Sequence, residues 1–210
     1  MSQVAEEPLD LARSALVLMD FQNDVVDPQG AIGRLGGAAL VAGMGGTFEA
    51  AEALLGGFRV AGKPVVHVAV AFRPGYPDAD PAVPLSRLCI ELGCLVEGSW
   101  GAAFKAPLLP REGEPVVVKR GMSPFGGTDL DLLLRLADVR TLVLAGVASN
   151  LVVEATARQG VDLGYRAVVP ADASMGFSAE QHGQSLAVTA RFATVTTVKA
   201  VLDALQALTA

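Results

Sequence analysis

Six short runs of apolar, mostly β-branched residues punctuate the chain, at 15–19, 65–72, 116–118, 141–145, 167–169 and 195–198. Each run is continuous rather than alternating. That pattern predicts strands buried on both faces, as in a covered parallel sheet. Between the runs, apolar residues recur at helical spacing. Phe48, Ala51, Leu55 and Phe58 share one face of a helix that Thr47 would cap and Gly62 would stop. Thr128 would cap a second helix carrying Leu130, Leu133, Leu134 and Ala137. Residues 150–161 predict a third, in which Glu154 and Arg158 stand i,i+4 as an ion pair. Residues 178–191 and 199–208 supply the last two, and Ser178 with Gln181 has capping-box spacing.

Strand–helix alternation predicts right-handed crossovers and one three-layer α/β/α domain. Its sheet would be doubly wound, six-stranded, mostly parallel and Rossmann-like. A chain of 210 residues is long enough for a full core. In such folds ligands bind beyond the carboxyl ends of the strands, where strand order reverses. That singles out residues 20–24, 73–77, 119–125, 148–152 and Asp172. Residues 74–101 are the least regular. Pro74, Pro77, Pro81 and Pro84 argue against a long helix there, and Trp100, the only tryptophan, sits in a turn. The segment reads as an insert that either loops over a pocket mouth or makes a subunit contact.

Composition narrows the function classes. Hydrophobic residues make up 51% and charged residues 18%, with mean hydropathy +0.44, as expected of a sheet covered on both faces. The net charge of −6 and pI near 4.9 argue against nucleic acid as a partner. No unbroken apolar run reaches about 18 residues, so no membrane partner is expected. Residues 1–10 carry Glu6, Glu7 and Asp10 and no basic residue, unlike a signal peptide. Cys89 and Cys94 are too few for a disulfide framework and match no metal-ligand spacing. They point to a reducing cytoplasm.

Three features carry candidate chemistry. Asp20 closes the first strand, where partial desolvation would raise its pKa and suit it to acid–base work; the alternative is a turn former. Lys119 closes the third strand and could hold a carboxylate or stabilise negative charge; the alternative is a snorkelling surface lysine. Gly146 opens a tight turn into a helix whose first N–H groups would suit an anion; the alternative is an ordinary connection.

Together the segments Leu-Met-Asp-Phe-Gln-Asn-Asp at 18–24, Lys119 followed by Ser123 to Thr128, and Gly146-Val147-Ala148-Ser149-Asn150 leading to Glu154-Ala155-Thr156 resemble the isochorismatase-like cysteine hydrolases. Residues 67–78 resemble the family's second-strand region, and the likeness runs from about 15 to 201. The resemblance implies that Asp20 is the base and Lys119 the lysine of the family's catalytic triad. It implies a cis peptide at Val147–Ala148, which helps aim backbone N–H groups at an oxyanion. It also places Val152 where most members carry the nucleophilic cysteine. Gln22, Arg73, Ser123, Phe125, Val147, Ala148, Ser149 and Leu151 are the residues it suggests for substrate binding.

A valine cannot attack a carbonyl, so three readings follow. The first is a cysteine-independent hydrolase of a small carboxylate- or carbonyl-containing metabolite, with Asp20 as general acid or base. Isochorismatases, which also lack the cysteine, work this way on a vinyl ether; they usually carry tyrosine at the position of Ala148. The second is a non-catalytic homologue that binds a small molecule or partner. The third is a metal-assisted hydrolase resembling nicotinamidase, for which His67 and His182 are the only histidines. His67 reads as a satisfied core histidine, His182 as an exposed or interface residue, and Asp24 as structural. Cys89 and Cys94 lie far in sequence from the turn and read as buried hydrophobes. No cofactor and no metal is expected. The family resemblance and the apolar composition suggest a homodimer or homotetramer.

Overall fold

The computed structural model describes residues 9–208, with the backbone alone for 36–45. Glu6 and Glu7, and the question of a leader, lie outside the described residues. Six strands form one sheet: β1 (Ser14–Met19), β2 (Val65–Val70), β3 (Val116–Lys119), β4 (Thr141–Gly146), β5 (Arg166–Pro170) and β6 (Thr194–Thr196). All pairs are parallel, in the order β3-β2-β1-β4-β5-β6. The fold is thus the α/β, doubly wound sheet that the alternation predicts.

Burial explains the strand sequences. Every residue of β1 and β4 is buried, as continuous apolar runs require. The edge strand β3 behaves otherwise. Its Val116 and Val118 are 45% and 41% exposed, so one of its faces is uncovered. A continuous run therefore did not mean two covered faces at the edge.

The helices are α1 (Asn23–Val26), α2 (Gly37–Val60), α3 (Pro84–Leu92), α4 (Leu130–Leu136), α5 (Glu154–Asp162), α6 (Ala179–Thr189) and α7 (Val198–Ala207). Leu16 and Leu18 of β1 pack with Leu54, Phe58, Val201 and Leu205 on the layer built by α2 and α7. Ala15, Val17 and Met19 point the opposite way, toward Leu130, Leu134 and Ala157 of α4 and α5.

Several element boundaries differ from expectation. Helix α2 begins ten residues before Thr47, which lies inside it and caps nothing. Its end agrees, with Gly62 at φ +63°. Thr128 accepts the Leu130 N–H at 3.1 Å, although Asp129 occupies the cap position. Ser178 caps α6 by accepting from Gln181 N. Glu154 and Arg158 form the expected pair at 2.9 Å. The largest correction is in the 74–101 insert. Pro84 does not exclude a helix there but starts one, at the first helical position where its missing N–H costs no bond.

Candidate functional site

Strand order reverses between β1 and β4, and the pocket lies where both strands end. Asp20 follows β1 with φ 61°, a left-handed conformation that aspartate tolerates better than most residues. Its N–H is fixed by Val68 O at 2.9 Å. Lys119 ends β3, two strands away, a gap of about 9–10 Å at normal strand spacing. A lysine stem bridges that gap, and its Nζ meets Asp20 Oδ2 at 2.9 Å. Lys119 Nζ also donates to Gly121 O at 3.0 Å. Both side chains are buried, at 3% and 7% exposure.

The turn after β4 supplies the opposite wall. Gly146 is required by close approach, since a Cβ there would come within 2.7 Å of Met19 O. The Val147–Ala148 peptide is cis. Val147 N–H donates to Met19 O at 3.2 Å and Ser149 N–H to Met175 O at 2.8 Å, which ties the turn to β1 and to the loop after β5. A π-helical turn, Ser149–Val153, then leads into α5.

Asp20 Oδ1 is buried without a hydrogen-bond partner. Burial pushes the Asp20 carboxyl above its ordinary value, and the charge and hydrogen bond of Lys119 only partly offset this. The carboxyl is therefore held by one oxygen, and the residue lines a cavity of about 80 Å³.

Of the residues suggested from the sequence, the structure gathers Asp20, Lys119, Val147, Ala148, Leu151 and Val152 around this cavity. It does not bring the others to its wall. Gln22 is fully buried and acts as a backbone surrogate, donating to Val70 O and Ala102 O and accepting from Val70 N. The Arg73 guanidinium is 62% exposed and pairs with Asp78. Ser123 accepts the Phe125 N–H, and Phe125 stacks on Tyr165 in the core. Ser149 is buried and shares a 2.7 Å hydrogen bond with His182 Nδ1. His182 is thus half-buried and bonded rather than free at the surface.

Other positions keep a structural part. Asp24 accepts from Ala31 N and Leu95 N, the turn role expected of it. His67 meets Glu114 Oε2 at 2.9 Å, far from a second histidine. Among the described residues, no group of three or more His, Cys, Asp or Glu side chains could hold a metal.

Phe72, Leu85, Phe177 and Cys89 also line the cavity without having been singled out in the sequence, as do Arg120 and Met122 from the 119–125 segment. Arg120, held by Asp78 at 2.6 Å and Glu97 at 2.5 Å, brings the guanidinium that Arg73 was expected to bring. Its signal was its place directly after Lys119. Cys89 gave no such signal, because only the fold of the insert carries α3 to the cavity.

An isochorismatase domain model matches residues 14–200. The chain is 32% identical to the isochorismatase family protein YwoC of Bacillus subtilis over 178 residues, covering 85% of this chain and 86% of that one. It is 33% identical to the ureidoacrylate amidohydrolase RutB of Methylobacterium radiotolerans, covering 79% of this chain and 68% of that one. An isochorismatase family protein of Desulfovibrio vulgaris superposes with a TM-score of 0.80 at 33% identity, covering 92% and 98% of the two chains. Among the described residues no helix is long and apolar enough to cross a membrane. The chain belongs to the isochorismatase-like hydrolase family.

Proposed function

We propose that the protein hydrolyses a small carboxylate- or carbonyl-containing metabolite without a cysteine nucleophile, with Asp20 as general acid and base. The observation that carries this reading is Asp20 lining the cavity, with Oδ2 pinned by Lys119 and Oδ1 buried without a hydrogen-bond partner. A carboxyl with a raised pKa holds a proton further into the neutral range, so it can protonate a leaving atom and then take a proton from water. Lys119 has three donors, two of which serve Asp20 and Gly121; the third is left to stabilise negative charge on the substrate. Val152 adds an apolar wall at the position of the family's cysteine, so water is the nucleophile.

The relative named ureidoacrylate amidohydrolase supports a carbonyl substrate, and the family name supports a vinyl ether. The test is a panel of ureidoacrylate, isochorismate, simple ureas and lactones. Turnover of at least one is expected, and Asp20→Asn should reduce it by roughly 10²–10⁴, the range of general acid–base catalysis. Loss of turnover in Cys89→Ser with Asp20→Asn still active overturns the reading. A second reading, a homologue that binds without turnover, rests on the apolar lining by Val152, Leu151, Phe72 and Phe177. Ligand-induced thermal stabilisation with no turnover across the panel selects it.

A further inference from the structure

Helix α3 ends in a motif that joins two cysteines. Gly93 adopts the left-handed conformation at φ 62°, and its N–H donates to Ile90 O. Cys94 N–H reaches back to Cys89 O at 3.1 Å. This is the Schellman pattern, in which the side chains at the two ends of the longer bond are commonly neighbours. Here those residues are Cys89 and Cys94, both buried and both reduced. The Cys94 O is held by the Tyr76 hydroxyl at 2.9 Å, which fixes the far end of the motif.

The two thiols are unequal. Cys89 lines the same cavity as Asp20 and Lys119, whereas Cys94 does not. The neighbouring Cys94 thiol holds the Cys89 thiol below its ordinary range. The positive charge of Lys119 acts the same way, while burial and the Asp24 carboxylate oppose it. The Cys89 thiol beside it, with burial, pushes Cys94 far up. Cys89, which lines the cavity, is thus the sulfur placed to meet a small reagent first, and Cys94 is the partner beside it.

We propose that Cys89 and Cys94 form an oxidant-sensitive thiol pair in the wall of the cavity, with Cys89 attacking a small hydroperoxide and Cys94 resolving the product. In the first step the Cys89 sulfur attacks one peroxide oxygen and the O–O bond breaks. Cys89 becomes a sulfenic acid, and the other oxygen leaves as water from hydrogen peroxide, taking the thiol proton. In the second step Cys94 attacks that sulfur, a disulfide forms and a second water leaves. The peroxide is reduced by two electrons and the thiol pair is oxidised by two. A disulfide needs Cα atoms roughly 4.4–6.8 Å apart, the scale on which a single backbone hydrogen bond already ties these two residues. The cavity of about 80 Å³ admits hydrogen peroxide, which is only a little larger than one water.

This inference does not rest on the hydrolase reading, because its readout is covalent. Purified protein treated with hydrogen peroxide should lose two hydrogens per chain by intact mass, with a peptide map linking Cys89 to Cys94 and recovery on reduction with dithiothreitol. Cys94→Ser should stop at a sulfenic acid on Cys89, trapped by dimedone. In Cys89→Ser, oxidation of Cys94 should slow by about tenfold or more, since the activated thiol is gone. Both substitutions are nearly isosteric, and the wild-type mass change requires neither. Cys94 reacting as fast in Cys89→Ser as in the wild type overturns the proposal. So does a disulfide between chains, or two thiols that stay reduced under peroxide.

Discussion

Asp20 is pulled in two directions, by burial toward its neutral form and by Lys119 toward its charged form. Removing one member of a buried ion pair strands the other, at a cost of about 3–5 kcal/mol. Lys119→Met should therefore lower stability in urea unfolding. Its effect should grow with pH, because the stranded Asp20 would have a folded pKa still further above its unfolded one. Such a group stabilises below the unfolded pKa and loses that contribution as pH rises through the folded pKa. Adding Asp20→Asn should recover most of the loss, since asparagine also tolerates the positive φ of position 20. A recovery that fails would show that the pair does not act as a unit. Val152 gives a second test at this scale. Valine and cysteine are close in volume, so Val152→Cys should fold normally. With Asp20 and Lys119 beside it in the cavity, the new thiol should raise amide hydrolysis of ureidoacrylate above the wild type. No gain, with the thiol titrating as free, would show that Asp20 and Lys119 are not aimed at position 152.

Elements here are set by their ends more than by their interiors. The Thr197 side chain accepts from Ala200 N at 3.2 Å and caps α7, whose Val201 and Leu205 are buried against α2. Thr197→Ala should cost about 1 kcal/mol, measured as a shift in the urea midpoint at constant slope. A shift indistinguishable from zero would mean that packing alone holds the helix. Pro84 shows how an end was misread. Four prolines within eleven residues argue against a long helix, but the last of them is compatible with a helix that starts on it. Thr47 shows the converse. A threonine ahead of an apolar face reads as a cap, yet the helix extends through it from Gly37.

For the whole molecule, acid stability follows from a cluster remote from the cavity. Arg59 holds Glu114 at 2.7 Å and lowers its pKa to about 2, against some burial. Glu114 also accepts from His67 Nε2, which leaves His67 Nδ1 buried and unpartnered. Burial pushes the His67 pKa down, partly offset by Glu114. Both groups have folded pKa values below their unfolded ones. Their stabilising contributions are therefore present above the unfolded values, about 6.5 and 4.3, and are lost as pH falls through the folded ones. The thermal midpoint should fall as pH drops from neutral toward 5 and again below about 4. A midpoint flat from pH 7 to 4 would contradict this, and His67→Phe should shrink the first decline, the remainder coming from His182, which burial also holds below its usual value.

The periodicity of the chain by itself determined the six strands and the doubly wound class, because central parallel strands such as β1 and β4, buried on both faces, need continuous apolar runs. It also determined that Asp20, Lys119 and the turn at Gly146 stand at strand ends, since one carboxylate, one lysine and one glycine interrupt those runs there. Only the tertiary structure decided which strand ends meet. The sheet order sets β1 beside β4 and within a lysine's length of β3, and no local pattern encodes that adjacency. The same holds for Arg73 and Arg120, which share Asp78 as a partner although only Arg120 lines the cavity. It holds most clearly for Cys89, an ordinary apolar helix position until the insert folds back and makes it part of the cavity wall.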